Sequence, residues 1–450
     1  MLRKALLACF AVVTMTASLH SQSTAPYRPL GTLRDQAALQ QQWLQYRLDS
    51  VMPMLMREQG VEMWVISMRE YNEDPVFPAL VSATTFAARR RTIYIFHDRG
   101  PGEGVERLAL GGSSQGGLYE ALRGSVQTED GRTEELTGEN QWNAFAALVR
   151  ERNPRNIAVN MSNIHAFSDG LTAAEWEQMQ AALGPDLTSR VVRSELLAVN
   201  MLYLRVPGMV PIFRKMQELA WNLISTAFSN EVVIPGVTTT DDVVWWMRQR
   251  INDMGLQTWF QPSVDVQRQG GVLGEGPTVI QRGDVLHCDV GITALGLNTD
   301  TQHLGYVLRD YETDAPEGLK AALRNGNRLQ DILLAEMHPG RTGTEALLAA
   351  LEVMRAEGIN GTIYTHPVGD NGHAAGPLVG RWDNQAGVPG RGDVPLRGPS
   401  WYAIELQATT PVPEWGNQTA RMGMEEDAEL TAEGRMRWIL KRQTEFHLVR

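Results

Sequence analysis

Asp289 and Asp300, eleven residues apart in the apolar stretch Val285–Val307, are the first residues of this chain whose placement suggests chemistry. The stretch reads as two strands and a turn. By strand alternation Val285, His287, Asp289 and Gly291 share one face, and Leu286, Cys288 and Val290 share the other. With the turn centred on Ala294-Leu295, Asp289 stands opposite Asp300, their Cβ atoms about 5 Å apart. Two carboxylates opposed on a half-buried face need a cation between them or a raised pKa on one of them; otherwise the hairpin is exposed and both are solvated. Three further candidates follow in apolar frames: His373 in Gly372-His-Ala-Ala-Gly376, Glu405 in Trp401-Tyr-Ala-Ile-Glu-Leu406, and Glu425 in Met422-Gly-Met-Glu-Glu-Asp427. The four carboxylates carry four negative charges, which two divalent cations neutralise, with His373 adding a nitrogen. Such an oxygen-rich set suits manganese, with cobalt or zinc as alternatives, better than a thiolate-seeking ion. Two metals close together activate water and stabilise a tetrahedral intermediate, which is hydrolytic chemistry.

The order Asp, Asp eleven residues on, His in a Gly-His-x-x-Gly frame, Glu in a strand, and Glu followed by two acids resembles the pita-bread metallopeptidases. These include methionine aminopeptidase, Xaa-Pro aminopeptidase and prolidase, with creatinase as a metal-free relative. The resemblance implies that Asp289, Asp300, His373, Glu405 and Glu425 hold two divalent ions. It implies a creatinase-like amino-terminal α/β domain followed by a pita-bread catalytic domain, an α/β (α+β) fold class overall. It further implies hydrolysis of an Xaa-Pro amide bond, with Glu405 or Glu425 shuttling a proton, a peptide substrate with proline at its second position, and a homodimer.

The chain departs from that pattern in places. The family commonly carries a histidine upstream of the first aspartate, where this chain offers Gln267 and Gln269, and another seven residues after the ligand histidine, where Gly380 stands. His366, seven residues before His373, is the candidate replacement as proton donor. An arginine often found two residues before the last ligand is Gly423 here. His287 and His303 flank the aspartates and are candidates to hydrogen-bond the ligands. Two rival readings follow: a catalytically silent metal-binding relative, or a metal hydrolase of a non-peptide amide or ester.

The elements that must position these residues are legible in part. A helical pattern with a kink at Pro53 spans residues 36–59, strands are expected at 63–67, 92–96 and 105–110, and helix and strand alternate from 141 to 192. This order makes the first 200 residues or so one α/β domain. Its charge clusters, Arg69 to Asp74 and Arg89-Arg90-Arg91, read as solvated loops or an intersubunit salt-bridge set. Long helices are expected over 212–228, 243–254, 319–337 and 344–357, with strands at 258–267 and around the site residues. The Gly/Pro-rich loop 387–399 lies at the pocket rim or on the plain surface. We divide the chain as 1–23, 24–204 and 205–450.

The first of these segments, with Arg3-Lys4, an apolar run from Ala5 to Ala17 and a small-polar stretch after it, reads as a secretory signal peptide; the expectation is an exported protein, periplasmic or secreted. Cys288 is then the only cysteine of the mature chain. A formal net charge of −11 argues against nucleic acid or an anionic membrane surface as a partner, and no other run is long and apolar enough to span a membrane.

Overall fold

The kinked amino-terminal helix forms in three pieces. Thr32 and Asp35 cap each other's backbone at the start of Leu33–Tyr46; a π-helical turn, Arg47–Val51, and a final helix, Met52–Glu58, follow. Pro53, which has no N–H to donate, follows directly on the π-helical turn within this continuous helical run, and Gly60 at a φ of 63° ends it. This is a computed structural model that describes residues 28–124, 126–127, 133–271 and 276–450. The signal-peptide expectation lies outside the described residues.

Buried, β-branched and aromatic runs give a six-stranded mixed sheet, ordered Glu120–Leu122, Val105–Leu110, Arg91–Asp98, Met63–Arg69, Ile157–Val159, Val191–Arg193. Helices Gly138–Arg152 and Ala173–Thr188 cover one face, closing a core of Met63, Val65, Ile93, Ile95, Phe145 and Val149. The alternate residues Trp64, Ile66, Tyr94 and Phe96 face the larger core shared with the rest of the chain, as the strand period dictates. The arginines expected in solvated or intersubunit clusters find acids within the chain: Arg89 pairs with Glu135 at 2.7 Å, and Arg91 with the buried Glu175 at 2.9 Å.

Helix Glu195–Tyr203 leads through Arg205 into helix Met209–Ala227, and Thr240–Asp253 follows under a Thr239/Asp242 capping box. Three antiparallel systems then build the remainder. Ser263–Gln267, Val285–Val290 and Thr301–Val307 lie side by side, with His447–Val449 added in parallel. Asn360–Ile363, Leu406–Val412 and Gln418–Met424 form the second, and His366–Pro367, Ser400–Ala403, Asp427–Leu430 and Met436–Trp438 the third. Helices Glu317–Glu336 and Gly343–Ala356 pack on them through buried Leu319, Leu323, Leu329, Leu333, Leu347 and Leu351. Among the described residues no helix is long and apolar enough to cross a membrane.

Candidate metal centre

Asp289 lies on strand Val285–Val290, and Asp300 immediately precedes Thr301–Val307. The ladder pairs Asp289 with Gln302, and the short hairpin beyond it pairs Thr293 with Asn298 and Ala294 with Leu297. The turn is therefore Leu295-Gly296, not Ala294-Leu295, and Asp300 stands diagonal to Asp289 instead of opposite. Both turn residues have positive φ, 52° and 73°, as a type I′ hairpin requires; Gly296 adopts this without a Cβ penalty and so fixes the register. The shift moves the pairing by two positions on the partner strand, so both aspartates stay on one face.

Glu405 and Glu425 sit in the gaps where two long strands pass from one sheet to the next. Ala403 pairs with Asp427 and Leu406 with Met424, a single register across the break that sets the two glutamates face to face. Ile404 N donates to Glu426 O at 2.9 Å, Tyr364 N to Glu405 O at 3.0 Å, and Gln302 and Glu425 exchange backbone bonds of 3.1 and 3.2 Å. Each glutamate is thus locked by backbone from a third segment, which carries the aspartates to Glu425.

His366, 1% exposed, lies among these carboxylates. Its Nε2 is 3.4 Å from Glu425 Oε1, 3.7 Å from Asp300 Oδ2 and 3.9 Å from Glu405 Oε2. Nδ1 lies 3.1 Å from the Pro367 carbonyl, which can only accept, so Nδ1 carries the proton and the Nε2 lone pair points at the carboxylates. His373 stands at the exposed rim, its ring centroid 4.6 Å from that of His366, 5.2 Å from Trp259 and 6.0 Å from Tyr364. Three sets of ligand atoms lie within 4.8 Å of one another: Asp300, His366 and His373; His366, Glu405 and Glu425; and Asp289, Asp300 and Glu425.

Burial, then the charges of Glu425 and Asp289, hold the Asp300 carboxyl well above its ordinary range. Burial followed by Asp289 and Asp427 does the same to Glu425, and burial followed by Glu425 pushes Glu405 up to about 8. Burial also raises Asp289. Asp289 Oδ1, Asp300 Oδ1, Glu425 Oε1 and His366 Nε2 are buried without a hydrogen-bond partner. Orphaned acceptors converging from four segments, with no lysine or arginine among the described residues paired to them, are what a divalent-ion site presents, so the donors fit such ions.

The accessory residues differ from expectation. Gln267 is bound to the neighbouring strand, donating to Arg421 O at 2.6 Å and accepting from Arg421 N at 2.7 Å, and Gln269 donates to Glu414 O at 3.0 Å. Neither is free to hold an oxygen in the site. Gly380 is buried at a φ of 76°, where a Cβ would meet the Ile363 carbonyl, so no side chain from there reaches the site. His303 faces away from the aspartates, bonding Glu426 at 2.8 Å and His447 at 3.0 Å. Arg391, in the Gly/Pro-rich loop, donates to Ala374 O at 3.1 Å, so that loop reaches the rim. Trp259 and Tyr364, which wall His373, were not anticipated; a Trp-Phe pair just before a strand was the signal available.

Residues 212–430 match the family described as Metallopeptidase family M24. That segment belongs to this family of metallopeptidases. No curated protein sequence matches the chain. Among solved structures, X-Pro aminopeptidase from Thermotoga maritima is 15% identical with a TM-score of 0.61, over 88% of this chain and all of that one. Xaa-Pro dipeptidase from Bacillus anthracis is 15% identical with a TM-score of 0.60, over 91% of this chain and all of that one. The N-terminal domain of FACT complex subunit SPT16 from chickpea is 10% identical with a TM-score of 0.57, over 91% of this chain and 99% of that one. The M24 fold with its preceding α/β domain is thus shared nearly end to end with the first two.

Proposed function

We propose that the chain is an exported, dinuclear metal-dependent peptidase that hydrolyses the Xaa-Pro amide bond, with Asp289, Asp300, His366, Glu405 and Glu425 as its metal ligands. The observation that carries this is the convergence of three carboxylates, Asp300, Glu405 and Glu425, on the free Nε2 of His366, with Asp289 grouped beside Asp300 and Glu425 and an orphaned oxygen on each of Asp289, Asp300 and Glu425. The roles of the two histidines are exchanged relative to the sequence expectation. His366 joins the ligand set, and His373, seven residues later, takes the accessory position at the rim. Manganese is the preferred ion on donor chemistry, with cobalt or zinc next.

Two such ions polarise a scissile carbonyl and lower the pKa of water. The chain supplies the rest. Glu405 is the proton shuttle: with its side chain 22% exposed it is the glutamate of the pair that reaches the cleft. Glu425, 1% exposed, has no such access and acts as a ligand. His373 faces the departing amine, and Trp259 and Tyr364 exclude water around it and offer an apolar wall to a proline ring. The solved neighbours named as X-Pro aminopeptidase and Xaa-Pro dipeptidase support this substrate class. The division at residues 24–204 and 205–450, a signal peptide over 1–23, and a homodimer complete the proposal.

The likeness to a subunit of the FACT complex favours one second reading, a silent relative used in assembly. Assay of purified protein, loaded with Mn2+, against a panel of Xaa-Pro dipeptides and longer peptides separates the two. Release of the residue before proline is the expected result. No turnover of any peptide by fully loaded protein would favour the silent relative, and cleavage of only non-peptide amides or esters would reassign the substrate.

A further inference from the structure

We infer that Gln302 is a positioning residue of the proposed metal centre, held by His287 and Asp265 in a space that Gly423 leaves open. The inference rests on the metal-site reading above. Gln302 Nε2 donates to Glu405 Oε1 and to Glu425 Oε2, both at 2.9 Å. The other oxygen of each glutamate, Glu405 Oε2 and Glu425 Oε1, is the one that faces His366 Nε2. One amide therefore ties the rear oxygens of both glutamates and turns the front ones toward the place of an ion. The main chain of Gln302 is fixed as well, because it exchanges both backbone bonds with Glu425.

The direction of the amide is set from its far end. Gln302 Oε1 lies 2.9 Å from His287 Nε2, and His287 Nδ1 lies 3.0 Å from Asp265 Oδ2. With both glutamates ionised, as ligands of a cation are, a flipped amide would aim its carbonyl at two groups that only accept. With the amide as it stands, both neighbours of His287 accept, so both ring nitrogens donate. His287 is buried and Asp265 is 47% exposed in its side chain, so a single chain of hydrogen bonds runs from the surface to both glutamates.

Gly423 makes this arrangement possible. A Cβ there would lie 2.9 Å from His287 Nε2 and 3.4 Å from Gln302 Oε1. Where the resemblance leads one to expect an arginine, this chain has no side chain, and the imidazole and amide fill the space from the neighbouring strands. Partners of this kind orient ligands, and their loss typically lowers metal affinity by roughly 10- to 100-fold.

Titration of the metal-free full chain with Co2+, read by its visible absorption, tests this. Gln302→Met keeps the side-chain length and removes the donor; Gly423→Ala displaces the pair without altering any ligand. We expect Co2+ affinity to fall by about tenfold or more in Gln302→Met, with a changed spectrum, and less in Gly423→Ala. Wild-type affinity and spectrum in Gln302→Met overturn the inference, and if that variant does not fold, the same result in Gly423→Ala does. Wild-type protein that binds no Co2+ fails the metal-site reading itself, a distinguishable result.

Discussion

His366 and His373 differ in what surrounds them more than in where they lie. His366 offers a fixed tautomer and a lone pair to three carboxylates within 3.9 Å, whereas His373 stands exposed against Trp259 and Tyr364. On the proposed dinuclear centre, His366→Ala should lose at least one of two metals per chain on elemental analysis. His373→Ala should retain both and lower kcat by about two to four orders of magnitude, the usual worth of a positioned proton donor. Metal loss in His373→Ala would return that residue to the ligand set. The carboxylates predict a pH effect on the metal-free protein. Glu405 titrates near 4.5 in the unfolded chain and about 8 in the fold, so between these values the folded state binds more protons than the unfolded one. Stability of chelated protein should therefore fall as pH rises from about 4.5 through 8, with Asp300 and Glu425 adding in the same direction. Added Mn2+ should restore it, since an ion bound only by the fold stabilises it by mass action. Thermal melts across that range check this; a flat profile for chelated protein would remove the carboxylates from a shared buried site.

The loop from Pro367 to His373 is the element that joins the two histidines, and it is clamped from both domains. Asp370 accepts from Arg205 at 3.0 Å and from Arg47 at 3.0 Å, the arginine side chains being 2% and 6% exposed, while Asn298 donates to the Gly369 and Asp370 carbonyls, both at 3.1 Å. Removing one partner of a buried pair leaves charge uncompensated. Asp370→Ala should cost about 3 kcal/mol or more, read as a drop in the denaturant midpoint, because two buried guanidinium groups lose their anion. A surface-sized effect, below about 1 kcal/mol, would show that water already reaches the pair. Next to this loop, Gly291 and Gly372 leave the space that the Trp259 ring occupies, and Trp259 Nε1 donates to Thr299 O at 2.9 Å. Gly372→Ala should push the ring off His373 and lower kcat/KM while metal content stays at the wild-type value. Unchanged kinetics would make Trp259 a packing residue only.

At the scale of the whole molecule the amino-terminal domain reaches the site loop through Arg47, a residue of its π-helical turn, so the two domains are coupled at one buried charge. Amino-terminal sequencing of protein from its native host should return a start between residues 18 and 24, outside the cytoplasm; a sequence beginning at Met1 or Leu2 would sink the export proposal.

Alternation and turn residues are local, and they made most elements legible: Val105–Leu110 was readable to the residue, and the helix expected over 243–254 forms as Thr240–Asp253. Asp289, Asp300, Glu405 and Glu425 were equally legible, because a carboxylate inside an apolar run is anomalous wherever the chain goes. Helix Glu195–Tyr203 was missed because seven of its nine residues are buried, leaving no polar face to give a period. What only the tertiary structure decided was which side chains meet across segments remote in sequence. The turn at Leu295-Gly296 moved the aspartates from opposite to diagonal. The sheet crossings at Glu405 and Glu425 made a pocket that His366 enters and His373 borders. The same crossings brought Gln302 within reach of both glutamates over a glycine 121 residues away in sequence (423 − 302). Spacing can nominate a histidine for a ligand; only packing fixes where its lone pair points.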